Sequence, residues 1–459
     1  MADFSVCYEF KRKINKIGLM YKVSKNIKIF SFSLMIIGAL GLAFSFYSAP
    51  KTIEQAKEMV SDSHGDNHGE DHGAVGSHSG EDSHYENDTH SNSHDEHLLH
   101  KLQNRPWSAL YVAALFFMFL SLGTLAFYAI QRASQAGWSP LLFRVMEGIT
   151  AYLLPGTLII LVILILSSMH LNHLFVWMDP DVVAHDKIIQ GKVGYLNTPF
   201  LLARAVFYIV GWNFYRYISR KYSIAQDNSS DISNHTKNFK WSAGLLAFFI
   251  VTESMMSWDW IMSLDPHWFS TLFGWYVFAS FFVSGITVIA LFTLYLKSKG
   301  LLESVNSSHV HDLAKFMFGI SIFWTYLWFS QFMLIWYADI PEEVTYYVMR
   351  FEAYKVPFLG MLVLNFIFPL LVIMRSDYKR IPWFVETVGI VILIGHYFDF
   401  YNMIMPGTVG AHWSFGIPEL GGILFFAGLF LYVVATSLTK VAVEPKGNAL
   451  LEESKQFHY

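Results

Sequence analysis

The chain has 459 residues, of which 15% are charged, 54% hydrophobic and 17% aromatic, with a mean hydropathy of +0.36 and a formal net charge of −4. A soluble domain carries about 25% charge, so this balance excludes an ordinary soluble enzyme, and the slight negative charge gives no footprint for nucleic acid. The single cysteine, Cys7, excludes an internal disulfide and an iron–sulfur cluster ligated by this chain alone, and it reads as a plain free thiol.

Long apolar runs with few charges predict an all-α integral membrane protein, because lipid offers no partner to a backbone group outside a helix or a closed barrel. The runs are too continuous for barrel strands, which alternate and cross in about ten residues. About ten spans are expected: Ile27–Ala49, Trp107–Gln131, Phe143–His170, Pro199–Tyr217, Trp241–Met262, Leu272–Leu296, Leu313–Tyr337, Val356–Met374, Pro382–Met403 and Ile417–Leu438. Each is near the roughly 20 residues needed to cross about 30 Å of hydrocarbon. Most Lys and Arg then fall on the side of both termini, including Lys11, Arg12, Lys13, Arg220, Lys221, Lys297, Arg375 and Arg380. The other side holds few, among them Lys101, Arg105, Lys187 and Arg350. The excess of positive charge on cytoplasmic loops therefore predicts both termini in the cytoplasm, and an even span count agrees. The first span is too long for a typical signal peptide and reads as a retained anchor.

Between spans one and two lies a polar insert. It carries His64, His68, His72, His78 and His84, then His90, His94, His97 and His100, interleaved with Asp, Glu, Gly and Ser. Imidazole and carboxylate together suit zinc, copper or nickel, but the irregular spacing gives no preformed cage. Loose metal capture or proton buffering is one reading; a solvated loop with incidental metal affinity is the other.

The segment Phe323-Trp324-Thr325-Tyr326, Phe329-Ser330-Gln331, Leu334-Ile335-Trp336-Tyr337 and Ile340-Pro341-Glu342-Glu343 is too particular for generic lipid-facing sequence. Together with Lys315, Glu253-Ser254-Met255-Met256-Ser257-Trp258-Asp259-Trp260, Asp265-Pro266-His267-Trp268, Asn365-Phe366 with Pro369, and Lys379-Arg380, it resembles the membrane subunits of alternative complex III. These are part of the wider NrfD or polysulfide-reductase membrane-subunit family. The resemblance runs from span two to span ten. It implies two four-helix bundles, spans two to five and six to nine, flanked by spans one and ten. The organisation it implies is a cytoplasmic segment 1–26, a first span 27–49, a periplasmic loop 50–105, bundles 106–265 and 266–405, a last span with its preceding loop 406–439, and a cytoplasmic tail 440–459.

The family picture also implies a bacterial inner-membrane complex that oxidises quinol (menaquinol included) and passes electrons to a cytochrome c or an oxidase. A C-type subunit of this kind carries the quinol site, and an F-type subunit is its structural partner. A His is expected in the C-type pattern where this chain has Glu253, and the insert after span one is a second departure; both match the F type. The chain is then expected to bind no cofactor itself, with haem c and iron–sulfur centres in partner subunits and possible contact with a terminal oxidase. The remaining surface faces membrane lipids.

Ionisable groups inside spans are costly and are functional candidates by default. They are Glu147, Arg204, Glu253, Asp259, Lys315, Glu386, His396 and Asp399. Glu253 and Asp259 sit on different helix faces, whereas His396 and Asp399 share one and could meet through a water. One reading joins some of them into proton half-channels, with Glu253 first; the other pairs each with a neighbour. His170, His173 and Trp258 are weak candidates for a quinol pocket near the outer surface, while a bis-His haem site using His170 and His396 is disfavoured because both read as lying near outer ends. Trp258, Trp260, Trp268, Trp275, Trp324, Trp328 and Trp336 read as interfacial belt and packing residues. Gln331 reads as an interhelical tie and Pro341-Glu342-Glu343 as an exposed turn open to a partner. The leading reading is a non-catalytic subunit of a quinol-oxidising complex. A catalytic quinol-binding subunit comes second. A secondary transporter comes last, because no paired Gly- or Pro-broken spans are evident.

Overall fold

The computed structural model describes residues 20–64 and 87–458, without the side chains of residues 59–64 and 87–97. Cys7, His68, His72, His78 and His84 lie outside the described residues, as does the side chain of His64. All regular elements among the described residues are helical. They are α1 (Lys25–Ser48), α2 (Ile53–His64), α3 (Asn87–Ala133), α4 (Phe143–Ile149), α5 (Leu153–Ser168), α6 (Pro180–His185), α7 (Lys187–Lys192), α8 (Thr198–Gln226) and α9 (Ser233–Trp260). Then follow α10 (Phe273–Ser298), α11 (Ser307–Ala338), α12 (Pro341–Glu352), α13 (Lys355–Leu362), α14 (Phe368–Ile373), α15 (Pro382–Val409), α16 (Ile417–Leu438) and α17 (Leu451–Lys455).

Among the described residues nine helices are long and apolar enough to cross a membrane, so the protein is an all-α, multi-pass membrane protein. The expected fourth span is not among the nine. It does form a helix, α8, whose 29 residues reach about 43 Å at roughly 1.5 Å per residue. Arg204, Arg216, Arg220 and Lys221 depress its hydropathy. The insert between spans one and two is also more ordered than a loop: α2 follows α1, and α3 begins at Asn87 and continues through Pro106.

α3 and α10 form the centre, with 94% and 83% of their most apolar windows buried, while α1 at 22% lies at the edge along α16. α3 touches α5 and α9, and α8 touches both of those. α10 touches α11 and α15, and α13 and α14 close against α15 and α11. The two central helices meet at a small-residue crossing. A Cβ added to Gly285 would come 2.5 Å from the Thr124 nitrogen and 2.6 Å from the Gly123 carbonyl carbon. Backbones this close are a common route to helix association in lipid, where the hydrophobic effect between helices is lost.

One face of the protein carries both described chain ends. The Tyr21 hydroxyl lies 3.3 Å from that of Tyr295 at the end of α10, and Asn306 Nδ2 donates to the Phe457 carbonyl at 2.6 Å. We call it the terminal face, and the other the loop face. On the loop face, Pro341-Glu342-Glu343 is the exposed first turn of α12 rather than a free turn. Proline fits the first helical position because its missing N–H has no partner there, and the two glutamates favour the positive end of the helix dipole.

The central crossing gives a test. Gly285→Val should lower the thermal midpoint in detergent by an amount equivalent to about 1–3 kcal/mol or more, the usual cost of overpacking. Gly244→Ala, which meets nothing within 4 Å, should leave the midpoint unchanged or raise it slightly. Equal behaviour of the two variants would remove the crossing from the account of stability.

Candidate functional site

Among the described residues, most of the sequence-predicted charges inside the helical body fall into three clusters. The first joins α3, α4 and α8 near the terminal face. Glu147 accepts from Arg144 Nη1 at 2.7 Å and from the Tyr128 hydroxyl at 3.1 Å, with Arg132 Nη2 at 3.8 Å. Arg144 also reaches Asp227 at 2.5 Å, and Arg220 donates to the Glu147 carbonyl and to Ser437 Oγ. The second cluster joins α8 and α9. Arg204 forks onto Asp259 with both bonds at 2.8 Å, and Tyr208 donates to the same carboxylate at 3.0 Å. The Arg204 guanidinium lies over the rings of Tyr195 and Phe200 at 4.0 and 4.1 Å. Paired and planar, such groups hold helices together but have little freedom to exchange charge.

The third cluster differs in kind. Asp399 on α15 is fully buried, and its partners among the described residues are neutral donors and one histidine. Its Oδ1 accepts from the Tyr276 hydroxyl. Its Oδ2 accepts from Ser280 Oγ at 2.7 Å and Trp324 Nε1 at 2.8 Å, with His396 Nδ1 at 3.2 Å. His396 and Asp399 thus touch directly, without the intervening water that their spacing suggested. His396 also lies mid-helix rather than near an outer end, because α15 runs on to Val409.

Local sequence explains how these groups converge. Tyr276, Ser280, Ser284 and Thr287 recur along one face of α10, each buried. Asn365 reaches His396 Nδ1 at 3.4 Å from a π-helical turn, Val363–Ile367, between α13 and α14. Pro369 has no N–H to give the carbonyl four residues earlier, that of Asn365, so the regular bonding pattern breaks there. Gly395 makes room: a Cβ on it would lie 2.8 Å from both Asn365 Cγ and Leu364 Cβ.

Beyond Tyr276, towards the loop face, lies a cavity of about 10 Å³ lined by Gln331, Tyr346, Tyr347, Arg350 and Asn402 as well as Tyr276 itself. That is about the room one water needs. Gln331 Nε2 and Asn402 Oδ1 have no hydrogen-bond partner among the described residues. Arg350 is held by the carbonyls of Asn402 and Tyr346 at 3.1 and 2.7 Å.

The remaining candidates are dispersed. Glu253 is buried on α9; among the described residues it is held only by Ser254 Oγ at 3.2 Å, with Oε1 unpartnered, and it lies outside the Asp399 cluster. Lys315 pairs with Asp312 at 2.7 Å, and Glu386 is exposed on α15. His170 and His173 line an open loop-face cavity of about 1090 Å³ with His100, His185 and Asp179. Trp258 is not among its lining residues; it is half-buried on α9. The His100 and His173 rings stack at 4.2 Å, and burial together with His100 holds His173 below the ordinary histidine value. Among the described residues no group of three or more His, Cys, Asp or Glu side chains could hold a metal ion. Of the seven tryptophans, Trp260, Trp268, Trp324 and Trp328 are buried packing residues, while Trp275 and Trp336 face outward.

Sequence reasoning singled out His396 and Asp399 but missed Tyr276, Ser280, Arg350 and Asn402. The signal was present for the first two, as hydroxyls spaced four apart in one of the most apolar spans. Compared with protein-family models and with characterised proteins, the chain gives no match to either.

Two tests follow from the paired groups. Arg204→Met should cost about 3–5 kcal/mol by leaving Asp259 buried and unpaired, and Arg204→Met with Asp259→Leu should recover most of it; thermal unfolding in detergent reads both. On the loop face, His267 Nε2 lies 2.5 Å from Asp186 and holds its carboxyl below the usual aspartate range, helped by the Ile188 and Ile189 amides. A carboxyl depressed in the folded state stabilises above the unfolded value of about 3.9, and this is lost as pH falls through the lower folded value. Hydrogen exchange over residues 180–192 should therefore rise below about pH 4, and His267→Ala should weaken that pH dependence.

Proposed function

We propose that this chain is a non-catalytic integral subunit of a quinol-oxidising electron-transfer complex, related to alternative complex III, and that Asp399 with His396 forms the loading point of a proton half-path. The observation that carries the proposal is a buried carboxylate held by neutral donors and linked through Tyr276 to a small polar cavity. The resemblance of the Phe323–Glu343 segment supports the complex. In this reading the C-type relative binds quinol, haem c and iron–sulfur subunits pack on the loop face, and a terminal oxidase or cytochrome c takes the electrons.

The topology proposed with it has ten spans in two four-helix bundles, α3, α5, α8 and α9 in one and α10, α11, α13 with α14, and α15 in the other. α1 and α16 flank them. Lys and Arg favour the terminal face as the cytoplasmic side of a bacterial inner membrane, which makes the loop face, with the His-rich insert, periplasmic.

The chemistry is local. Ser280 Oγ lies 2.7 Å from Asp399 Oδ2 and 3.0 Å from the Tyr276 carbonyl, two acceptors for one hydrogen. With Asp399 ionised, Ser280 donates to it. With Asp399 protonated, the hydroxyl turns to the carbonyl and accepts the carboxyl proton. The site can thus hold either protonation state without leaving a donor stranded, which a buried group needs if it is to cycle. Tyr276 then relays protons between Asp399 and the cavity edged by Gln331 and Asn402. In the half towards the terminal face the hydroxyls on this face of α10 continue to Ser284 and Thr287, each bonded to its own helix.

The test is Asp399→Asn in the assembled complex, keeping partner subunits and their haem spectrum as controls. Quinol oxidation should persist while proton release per quinol drops by at least the contribution of this path. A second reading, quinol binding by this chain itself, draws on the cavity lined by His170 and His173. It predicts instead that His173→Ala abolishes turnover with assembly intact. Purification without haem-bearing partners would defeat both.

A further inference from the structure

A third cavity lies between helices and shares no lining residue with the Asp399 cluster. It is an apolar crevice of about 450 Å³ between α1, α3, α10 and α16, with Leu393 of α15 also in its lining. Phe117, Leu291, Phe292, Ala427, Phe430 and Leu431 are among the residues of its wall. Its size is within the roughly 300–1,000 Å³ range of ligand sites. Away from its mouth, a cavity so lined offers few polar partners to water and suits an apolar chain.

The mouth is different. Tyr21 and Tyr295, which also line the crevice, bring their hydroxyls within 3.3 Å of each other at its terminal-face end. Lys299 Nζ lies 5.7 Å from the centre of the Tyr295 ring. Lys22, Lys25 and Lys28 are exposed on the same short stretch that supplies Tyr21, Ile27 and Phe30. A hydrocarbon slot with two phenols at its mouth, one lysine beside a phenol and three exposed lysines on the adjoining stretch suits one kind of molecule. The chain enters the slot, and an anionic headgroup accepts from the hydroxyls and draws the ammonium groups.

We propose that this crevice is a binding site for an anionic phospholipid of the leaflet at the terminal face, with one acyl chain inserted between α1 and α10. The site needs only the membrane location of the chain and no electron-transfer role. An occupant here would also complete the packing of α1, the least buried of the long helices.

The test uses the full chain in mild detergent, equilibrated with phosphatidylglycerol or phosphatidylcholine of the same acyl chains and read by native mass spectrometry. The wild type should retain phosphatidylglycerol at least about tenfold better, since each lysine near the headgroup adds several-fold. Ala427→Phe, which fills the slot, should lose both lipids. Leu291→Phe fills it from α10 and serves if the first variant fails to fold. Lys25→Gln with Lys28→Gln and Lys299→Gln, all surface changes, should abolish the preference while keeping some retention of either lipid. Equal retention of the two lipids by the wild type, or wild-type retention by folded slot-filling variants, would overturn the site. Recovery of an isoprenoid quinone in place of phospholipid, lost in Ala427→Phe, would overturn the assignment of its occupant.

Discussion

A charge taken into the bilayer must be met by something on a neighbouring helix, and the internal organisation of this protein follows from how each one is met. Arg204 can sit within α8 because Asp259 on α9 accepts its fork and two aromatic rings cover its faces. Glu147 sits in a shell of arginines that ties α4 to α3 and α8 and, through Arg220, to α16. These contacts give helix association in lipid the specificity that apolar side chains, as greasy as the lipid around them, do not provide.

The same constraint separates what was legible in the sequence from what was not. Hydropathy located the spans, because the length of an apolar run is set by the thickness of the hydrocarbon. α8 is the exception: it was expected as a span, but its helix falls short in apolar character because it carries arginines, one of which, Arg204, meets Asp259 far away in sequence. Hydropathy also treated the end of α15 as membrane surface, which put His396 near an edge rather than in the middle of a helix. Glu253 attracted attention as a lone carboxyl well inside a span. Among the described residues Ser254 is its one hydrogen-bond partner.

The Asp399 cluster illustrates a further limit. The His396 and Asp399 spacing was readable because both lie on one helix. Tyr276 and Ser280 come from α10, Trp324 from α11 and Asn365 from the π turn, and only the fold brings the four together. Their residue types carry no charge, so a search for ionisable groups passes over them. Pro369 and Gly395 were visible as letters, yet their effect is geometric: one breaks the backbone pattern beside Asn365, and the other leaves space for its side chain.

The contrast between the clusters bears on what each can do. A carboxylate locked to a guanidinium gives up its pair, its fork geometry and its buried neutrality together if it takes a proton, so a proton arriving at Asp259 would strand Arg204. Asp399 faces hydroxyls, an indole and an imidazole, and no guanidinium or ammonium is paired with it among the described residues. A proton added there neutralises the one buried carboxylate and leaves no buried cation behind, while Ser280 has a second acceptor ready. The same chain therefore contains two kinds of buried carboxylate. The arginine-paired ones fix helices in register, whereas Asp399, and Glu253 beside Ser254, are held by groups that carry no guanidinium or ammonium among the described residues. Of the two kinds, only the second could take up a proton without stranding a buried guanidinium.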